Sequence, residues 1–280
     1  MKSVVPSAGE HYDAPHLAKN APNFTALTPL VFLRRAAAVY PDKLAVIHGN
    51  DRFTYRELYS RCRQLAGALR RRGIGRGDIV AVMAPNVPAL LDAHYGVPMT
   101  GAVLNALNYR LDARSIAFIL GHGRAKLLIA DREFAPIVKA ALGALGRPMP
   151  LVEIDDGANG AALGGTEYEA FLGEGDPEAE WTVLPDEWEP IALNYTSGTT
   201  SNPKGVVYHH RGAFLNALGN VITLGLDRDS VYLWTLPMFH CNGWTHSWAV
   251  TVVAGTHVCL RRVDPAPIFA AIAEHRVTHL

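Results

Sequence analysis

A chain of 280 residues can bury a sizeable core in one large domain or two smaller ones. Lys plus Arg number 26 and Asp plus Glu also 26, a balance that argues against a nucleic-acid binder, which carries a basic excess on one face. The three cysteines, Cys62, Cys241 and Cys259, are far apart and form no CxxC pair. That spacing argues against a disulfide framework or a cysteine zinc site and fits a reducing, cytoplasmic setting.

Residues 1–27 read as an irregular leading arm without the apolar run of a secretory signal. Thr28-Pro29 reads as an N-cap and first-turn proline; Leu30, Leu33, Ala37 and Tyr40 then give one helical stripe, ended by Pro41. Ala45-Val46-Ile47 and Arg52-Phe53-Thr54 flank Gly49-Asn50-Asp51 and predict a hairpin. Leu58, Cys62, Leu65, Ala66 and Leu69 repeat at helical spacing, and Gly73 and Gly75 close that helix. Arg61, Arg63, Arg70, Arg71 and Arg72 lie largely outside its stripe. A solvated face is the ordinary reading of them, phosphate contact the alternative.

From there strands and helices alternate. Ile79–Met83, Ala102–Asn105, Lys126–Ala130 and Leu151–Ile154 predict short buried strands, with helices over Pro88–Tyr95, Asp112–Leu120 and Arg132–Leu142. This rhythm predicts a doubly wound α/β fold, with mixed or parallel sheets and flanking helices. The apolar stretch from Ile79 to Leu107 is interrupted by Pro85, Pro88, Asp92, His94 and Pro98, so no membrane span is expected. Gly157–Gly165 and the acidic Asp176–Glu180 read as loop. The rhythm resumes with strands over Ile191–Tyr195, Val231–Trp234 and Thr256–Leu260, and helices over Arg211–Leu224, Thr245–Val253 and Pro267–His275. The expected division is therefore 28–156 as a first α/β subdomain, 157–189 as a linker and return segment, and 190–280 as a second subdomain stacked on the first. Val277–Leu280 reads as the start of another strand, so the second subdomain is expected to be incomplete at its carboxy end.

The segment Tyr195-Thr196-Ser197-Gly198-Thr199-Thr200-Ser201-Asn202-Pro203-Lys204-Gly205 directly follows a strand. Small hydroxyl residues and glycine let backbone N–H groups and short side chains converge on an anion. Gly198 and Gly205 permit angles and close approaches that a β-carbon blocks, and Lys204 adds a mobile positive charge. A hydroxyl-rich surface turn is the plain alternative, but the following Pro-Lys-Gly weighs against it. A Walker A loop requires Gly-Lys before Ser or Thr; Pro203 before Lys204 and Gly205 after it break that match. His209-His210 is not expected to form a metal site, because adjacent side chains do not readily converge on one ion.

Thr196 to Gly205 resembles the phosphate-binding signature of the adenylate-forming (AMP-binding) superfamily of acyl-CoA synthetases, adenylation domains and luciferases. Ser201 stands where that pattern usually has glycine. Val206 to Gly212 continues the likeness, and Phe53-Thr54-Tyr55-Arg56-Glu57-Leu58 resembles an early structural motif of the family. Leu236-Pro237-Met238-Phe239-His240-Cys241-Asn242-Gly243-Trp244 is similar to its aromatic-His segment beside the acyl pocket, in the form that looks most like acyl-CoA ligases for short, medium or aromatic acids. Three motifs in order extend the resemblance from about Leu30 to the end.

The resemblance implies ATP-dependent activation of a small carboxylic acid through an acyl-adenylate, then thioester formation with coenzyme A as co-substrate. Thr196, Ser197, Thr199, Thr200 and Lys204 would cradle the β- and γ-phosphates with Mg²⁺ bridging, and Gly198, Ser201 and Gly205 would complete the loop. Lys204 and His240 are the implied catalytic residues, His240 lying between the acyl carboxylate and the thiol path. His240, Cys241, Asn242, Gly243 and Trp244 are the implied pocket. On their own, His240 fits a strand-end histidine bonded to backbone, and Cys241 and Trp244 fit core equally well. The family's later elements (an adenine segment, an aromatic-Gly-Thr-Glu metal motif, a ribose-binding acid, a hinge and a mobile lysine) do not occur before Leu280, so the chain alone is expected to bind nucleotide weakly and turn over poorly. Two other readings stay open: a phosphate- or nucleotide-binding module that never completes catalysis, and an adenylating enzyme that uses a carrier-protein thiol. Oligomeric state leaves no mark in the sequence.

Overall fold

The computed structural model describes residue 12 and residues 14–157, 160–182, 184–196 and 203–280. Helix α1 (Leu30–Val39) begins one residue later than expected, because Pro29 itself has helical angles and occupies the cap, while the Thr28 hydroxyl accepts from the Leu30 N–H. Strands β1 (Leu44–His48) and β2 (Asp51–Thr54) form the expected antiparallel hairpin, with Gly49 at φ +54° in the turn. Helix α2 (Tyr55–Arg71) starts on a full capping box between Thr54 and Glu57, worth about 1 kcal/mol. Its face of Leu58, Cys62, Leu65, Ala66 and Leu69 is buried as predicted, each leucine contributing roughly 1.5–3 kcal/mol.

The alternation then runs β3 (Ile79–Met83), α3 (Pro88–Gly96), β4 (Val103–Ala106), α4 (Ala113–His122), β5 (Ala125–Asp131), α5 (Ala135–Leu145), β6 (Leu151–Ile154), β7 (Thr166–Glu167) and α6 (Tyr168–Gly173). It continues through β8 (Pro190–Tyr195), β9 (Gly205–His209), α7 (His210–Leu224), β10 (Val231–Leu233), the turn α8 (Cys241–Trp244), α9 (His246–Val252), β11 (Thr256–Val258) and α10 (Pro265–His275). Seven strands form one sheet in the order β7-β6-β5-β3-β4-β8-β9, and four form another in the order β10-β11-β1-β2. Among the described residues, only the hairpin β1–β2 and the pair β8–β9 are antiparallel; the other ladders are parallel. The mixed α/β architecture follows the sequence.

The sheets do not respect the 157–189 segment as a boundary. β1 and β2, from before it, share a sheet with β10 and β11, from after it; β8 and β9 extend the sheet begun by β3–β7. Nor is that segment only a linker: Tyr168, Phe171 and Leu172 of α6 are buried against the core. The main core draws residues from strands of both sheets and from the helices, with Trp234 and Trp248 fully buried. Val277–Leu280 runs beside β10, His279 pairing in parallel with Tyr232. Among the described residues, no helix is long and apolar enough to cross a membrane.

Arg71 is solvated as expected, but Arg61, Arg63, Arg70 and Arg72 are engaged with protein groups. Arg61 grips buried Asp92 at 3.0 Å and Glu169 at 2.7 Å. Arg63 bonds the Ala179 carbonyl and Glu178, Arg70 reaches the Met99 carbonyl, and Arg72 pairs with Glu174. They tie the 169–180 stretch down onto α2. Burial raises the Asp92 carboxyl while the facing Arg61 pulls it down, and Tyr168 donates to the same oxygen.

Candidate functional site

Residues 197–202 of the expected phosphate loop, Ser197, Gly198, Thr199, Thr200 and Ser201 among them, lie outside the described residues. Their anchors are described. β8 and β9 pair antiparallel from Pro190↔His209 to Tyr195↔Gly205, so the motif connects two neighbouring strands of one sheet. The Thr196 N–H donates to the Lys204 carbonyl at 3.0 Å, and the Lys204 N–H to the Thr196 hydroxyl at 3.1 Å. This reciprocal clasp fixes the base of the loop and leaves the Lys204 side chain exposed. Gly205 answers to packing rather than to a special φ. A β-carbon there would lie 3.1 Å from Leu193 Cδ1 and 3.4 Å from the ring of Tyr195, its cross-strand partner.

His240 arrives from the other sheet, at the end of the segment that follows β10. Asn86, in the loop after β3 and itself buried, pins that segment. Its amide donates to the carbonyls of Trp234 and Leu236, and its oxygen accepts from the Met238 N–H at 2.8 Å. Sequence reasoning passed over Asn86; the available signal was a polar residue between Pro85 and Pro88 in an otherwise apolar stretch. The outcome is a cavity of about 160 Å³ that brings both motifs together, with Thr196 and Tyr195 on one wall and Phe239, His240 and Cys241 on another. His240 is exposed, with its Nε2 3.8 Å from Cys241 Sγ.

Beyond His240 the backbone does something the sequence did not announce. Cys241, Asn242, Gly243, Trp244 and Thr245 all have positive φ, from +50° to +65°. One turn of left-handed helix costs roughly 1–2 kcal/mol per residue that bears a β-carbon, so four such residues must be held by their surroundings. Gly243 is obligatory in two ways, since a β-carbon there would sit 2.4 Å from the Trp234 ring. The Asn194 amide donates to Asn242 Oδ1 at 2.7 Å. Of the five pocket residues expected, Asn242 and Gly243 are buried, Cys241 is half-buried, and Trp244 is 59% exposed, which sets aside the core reading for Trp244.

On the far side of Tyr208 and Cys241 lies an apolar groove of about 430 Å³, walled also by Val207, Ala213, Trp244 and Thr245. Tyr208 and Cys241 line both spaces and so form the partition, with His240 on the side of the smaller cavity. Burial, with the Cys241 thiol beside it, pushes the Tyr208 hydroxyl up to about 12, so it stays a neutral donor at neutral pH. Asn105 Oδ1 and Asn194 Oδ1, both buried in the wall of the smaller cavity, have no hydrogen-bond partner among the described residues. Buried amide oxygens left bare in this way are uncommon. Asn105, Asn194 and Tyr208 were not singled out from sequence; asparagines inside otherwise apolar strands were the signal.

His209 and His210 have separate tasks. His209 Nδ1 accepts from the Gly212 N–H and caps α7, while buried His210 meets the Thr28 hydroxyl at 2.9 Å. Among the described residues, no group of three or more His, Cys, Asp or Glu is placed to hold a metal ion.

Residues 33–280 match the AMP-binding enzyme family. The chain belongs to that family. It is 48% identical to an acetate–CoA ligase of Humulus lupulus over 281 residues, covering 95% of this chain and 50% of that protein. A peroxisomal acetate/butyrate–CoA ligase of Arabidopsis thaliana is 47% identical, with 95% and 49% covered. The N-terminal domain of FACL13 from Mycobacterium tuberculosis superposes with a TM-score of 0.80 at 27% identity, covering 90% of this chain and 61% of that one. The chain spans about half the length of the curated relatives it matches.

Proposed function

We propose that this chain binds ATP through the 196–205 loop and a small carboxylic acid in the groove beside Trp244, for activation of the acid as an acyl-adenylate and its transfer to coenzyme A. The observation that carries this reading is the shared cavity. The clasped base of the hydroxyl-rich loop and His240 meet on it, and an apolar groove lies just across the Tyr208–Cys241 partition. In-line attack of a carboxylate on a phosphate brings two anions together, so the cations and donors must be set in place beforehand. Lys204 supplies the mobile charge on the phosphate side, and His240, beside Cys241 on the smaller cavity, orients the carboxylate. The groove's apolar walls suit a short acyl chain, in keeping with relatives named for acetate and butyrate. The smaller cavity, on which the loop base and His240 meet, would take the approaching thiol. Mg²⁺ would travel with the nucleotide phosphates, since no cluster of protein carboxylates among the described residues is arranged for it. A cytoplasmic setting and the choice of coenzyme A over a carrier-protein thiol belong to the same proposal.

A stable butyryl-adenylate analogue tests it. Calorimetry should give saturable one-to-one binding, weakened about tenfold by His240→Ala through loss of a charge-assisted contact. A folded chain that binds neither this analogue nor ATP would remove the proposal.

A further inference from the structure

The left-handed turn needs an anchor, and its own aromatic is not one: Trp244 leaves 59% of its surface in solvent. The anchors come instead from α7. The Asn216 amide donates to Thr245 Oγ1 at 2.8 Å, and the Asn220 amide to the Trp244 carbonyl at 2.6 Å and to Thr245 Oγ1 at 3.0 Å. Both asparagines thus grip the end of a segment whose backbone would otherwise relax to right-handed angles.

We propose that Asn216 and Asn220 are positioning residues that hold turn 241–245 as a closed partition between the two spaces, and that releasing them lets the turn relax and joins the cavity to the groove. Cys241 opens the turn and faces both spaces, so its position follows the turn's handedness. This rests on the proposed function only for what the partition separates, the acid on one side and the thiol on the other. The strained turn and its clamp stand on geometry alone, and strain persists where surrounding contacts over-determine it.

Cys241 provides the readout, because Cys62 and Cys259 are buried. The purified chain, without nucleotide or acid, is mixed with an aromatic disulfide reagent and the release of its thiolate is followed. In Asn216→Ala/Asn220→Ala, one thiol per chain should react about fivefold faster or more than in the unaltered chain, as expected when a locally held segment opens. Cys241→Ser in that background should abolish the fast phase. Thr245→Val, which keeps the shape but removes the shared acceptor, should also accelerate it, while Asn220→Gln, which retains the amide, should stay near the unaltered rate. An unchanged rate in the double variant, or release of all three thiols together, would overturn the proposal, since the second result marks general loosening. Labelling requires no adenylation, so failure here is distinguishable from failure of the proposed function.

Discussion

The cluster around Arg61 and the cavity beside His240 are both built from distant segments, yet they are finished differently. Asp92 is fully buried; Arg61 pairs with its charge and, with Tyr168, occupies Oδ2, while Oδ1 has no hydrogen-bond partner among the described residues. The cavity is lined by neutral amides, among them Asn105 and Asn194, and by the exposed Thr196 and His240. A paired ionic cluster costs desolvation and repays it locally, so it serves to fasten elements. What separates the two is access: Arg61 and Asp92 are closed on each other, whereas Thr196 and His240 are exposed on the cavity.

The largest expected effect breaks the scaffold side. Arg61→Ala strands Asp92 as an uncompensated buried charge and should cost about 3–5 kcal/mol in denaturant unfolding. Adding Asp92→Asn should return part of that loss; strict additivity would mean that the two residues do not act as a pair.

Acid comes next. Burial lowers His94 to about 4 and His257 to about 3, against an ordinary value of 6.5. Trp234 Nε1 donates to His257 Nδ1, which holds that ring neutral with its remaining proton directed at Thr251. Because the folded values lie below the unfolded one, the unfolded chain binds more protons in this window. Stability is then full above pH 6.5 and falls as pH drops toward 4 for His94 and 3 for His257. At pH 5 each ring should account for a loss of up to about 2 kcal/mol. Equal urea midpoints at pH 7 and pH 5 would contradict this.

On the site side, Gly243→Ala meets both a positive φ and the Trp234 ring, and should cost about 1–3 kcal/mol. Gly225→Ala, at φ +65° with open space around it, supplies the comparison and should cost only about 1 kcal/mol. Equal melting temperatures for the two variants would show that the Trp234 contact relaxes freely. Lys204→Ala should change stability by less than about 0.5 kcal/mol, as its side chain is exposed.

The sequence showed most of the regular elements because their apolar stripes are strong, as in α2 and β3. It hid α6, whose buried Tyr168, Phe171 and Leu172 sit in a short run between glycines and acids. It also hid β9, where Val206 and Val207 are exposed on the last strand of the sheet and so carry no burial pattern. Sheet membership was unreadable, since β1 meets β11 across most of the chain. The loop and His240 were legible as motifs, but their meeting on one cavity depends on Asn86 bridging to a segment about 150 positions away. The handedness of 241–245 was not legible either: only Asn242 and Gly243 tolerate positive φ readily, and the clamp lies on another helix.

The central claim is that the clasped 196–205 loop receives ATP phosphates with Lys204 as the cation. Calorimetric titration of the folded chain with ATP·Mg²⁺, beside Lys204→Ala, tests it most directly. The account predicts saturable binding that weakens about tenfold or more in the variant while its melting temperature stays unchanged. Equal affinity in both proteins would contradict it.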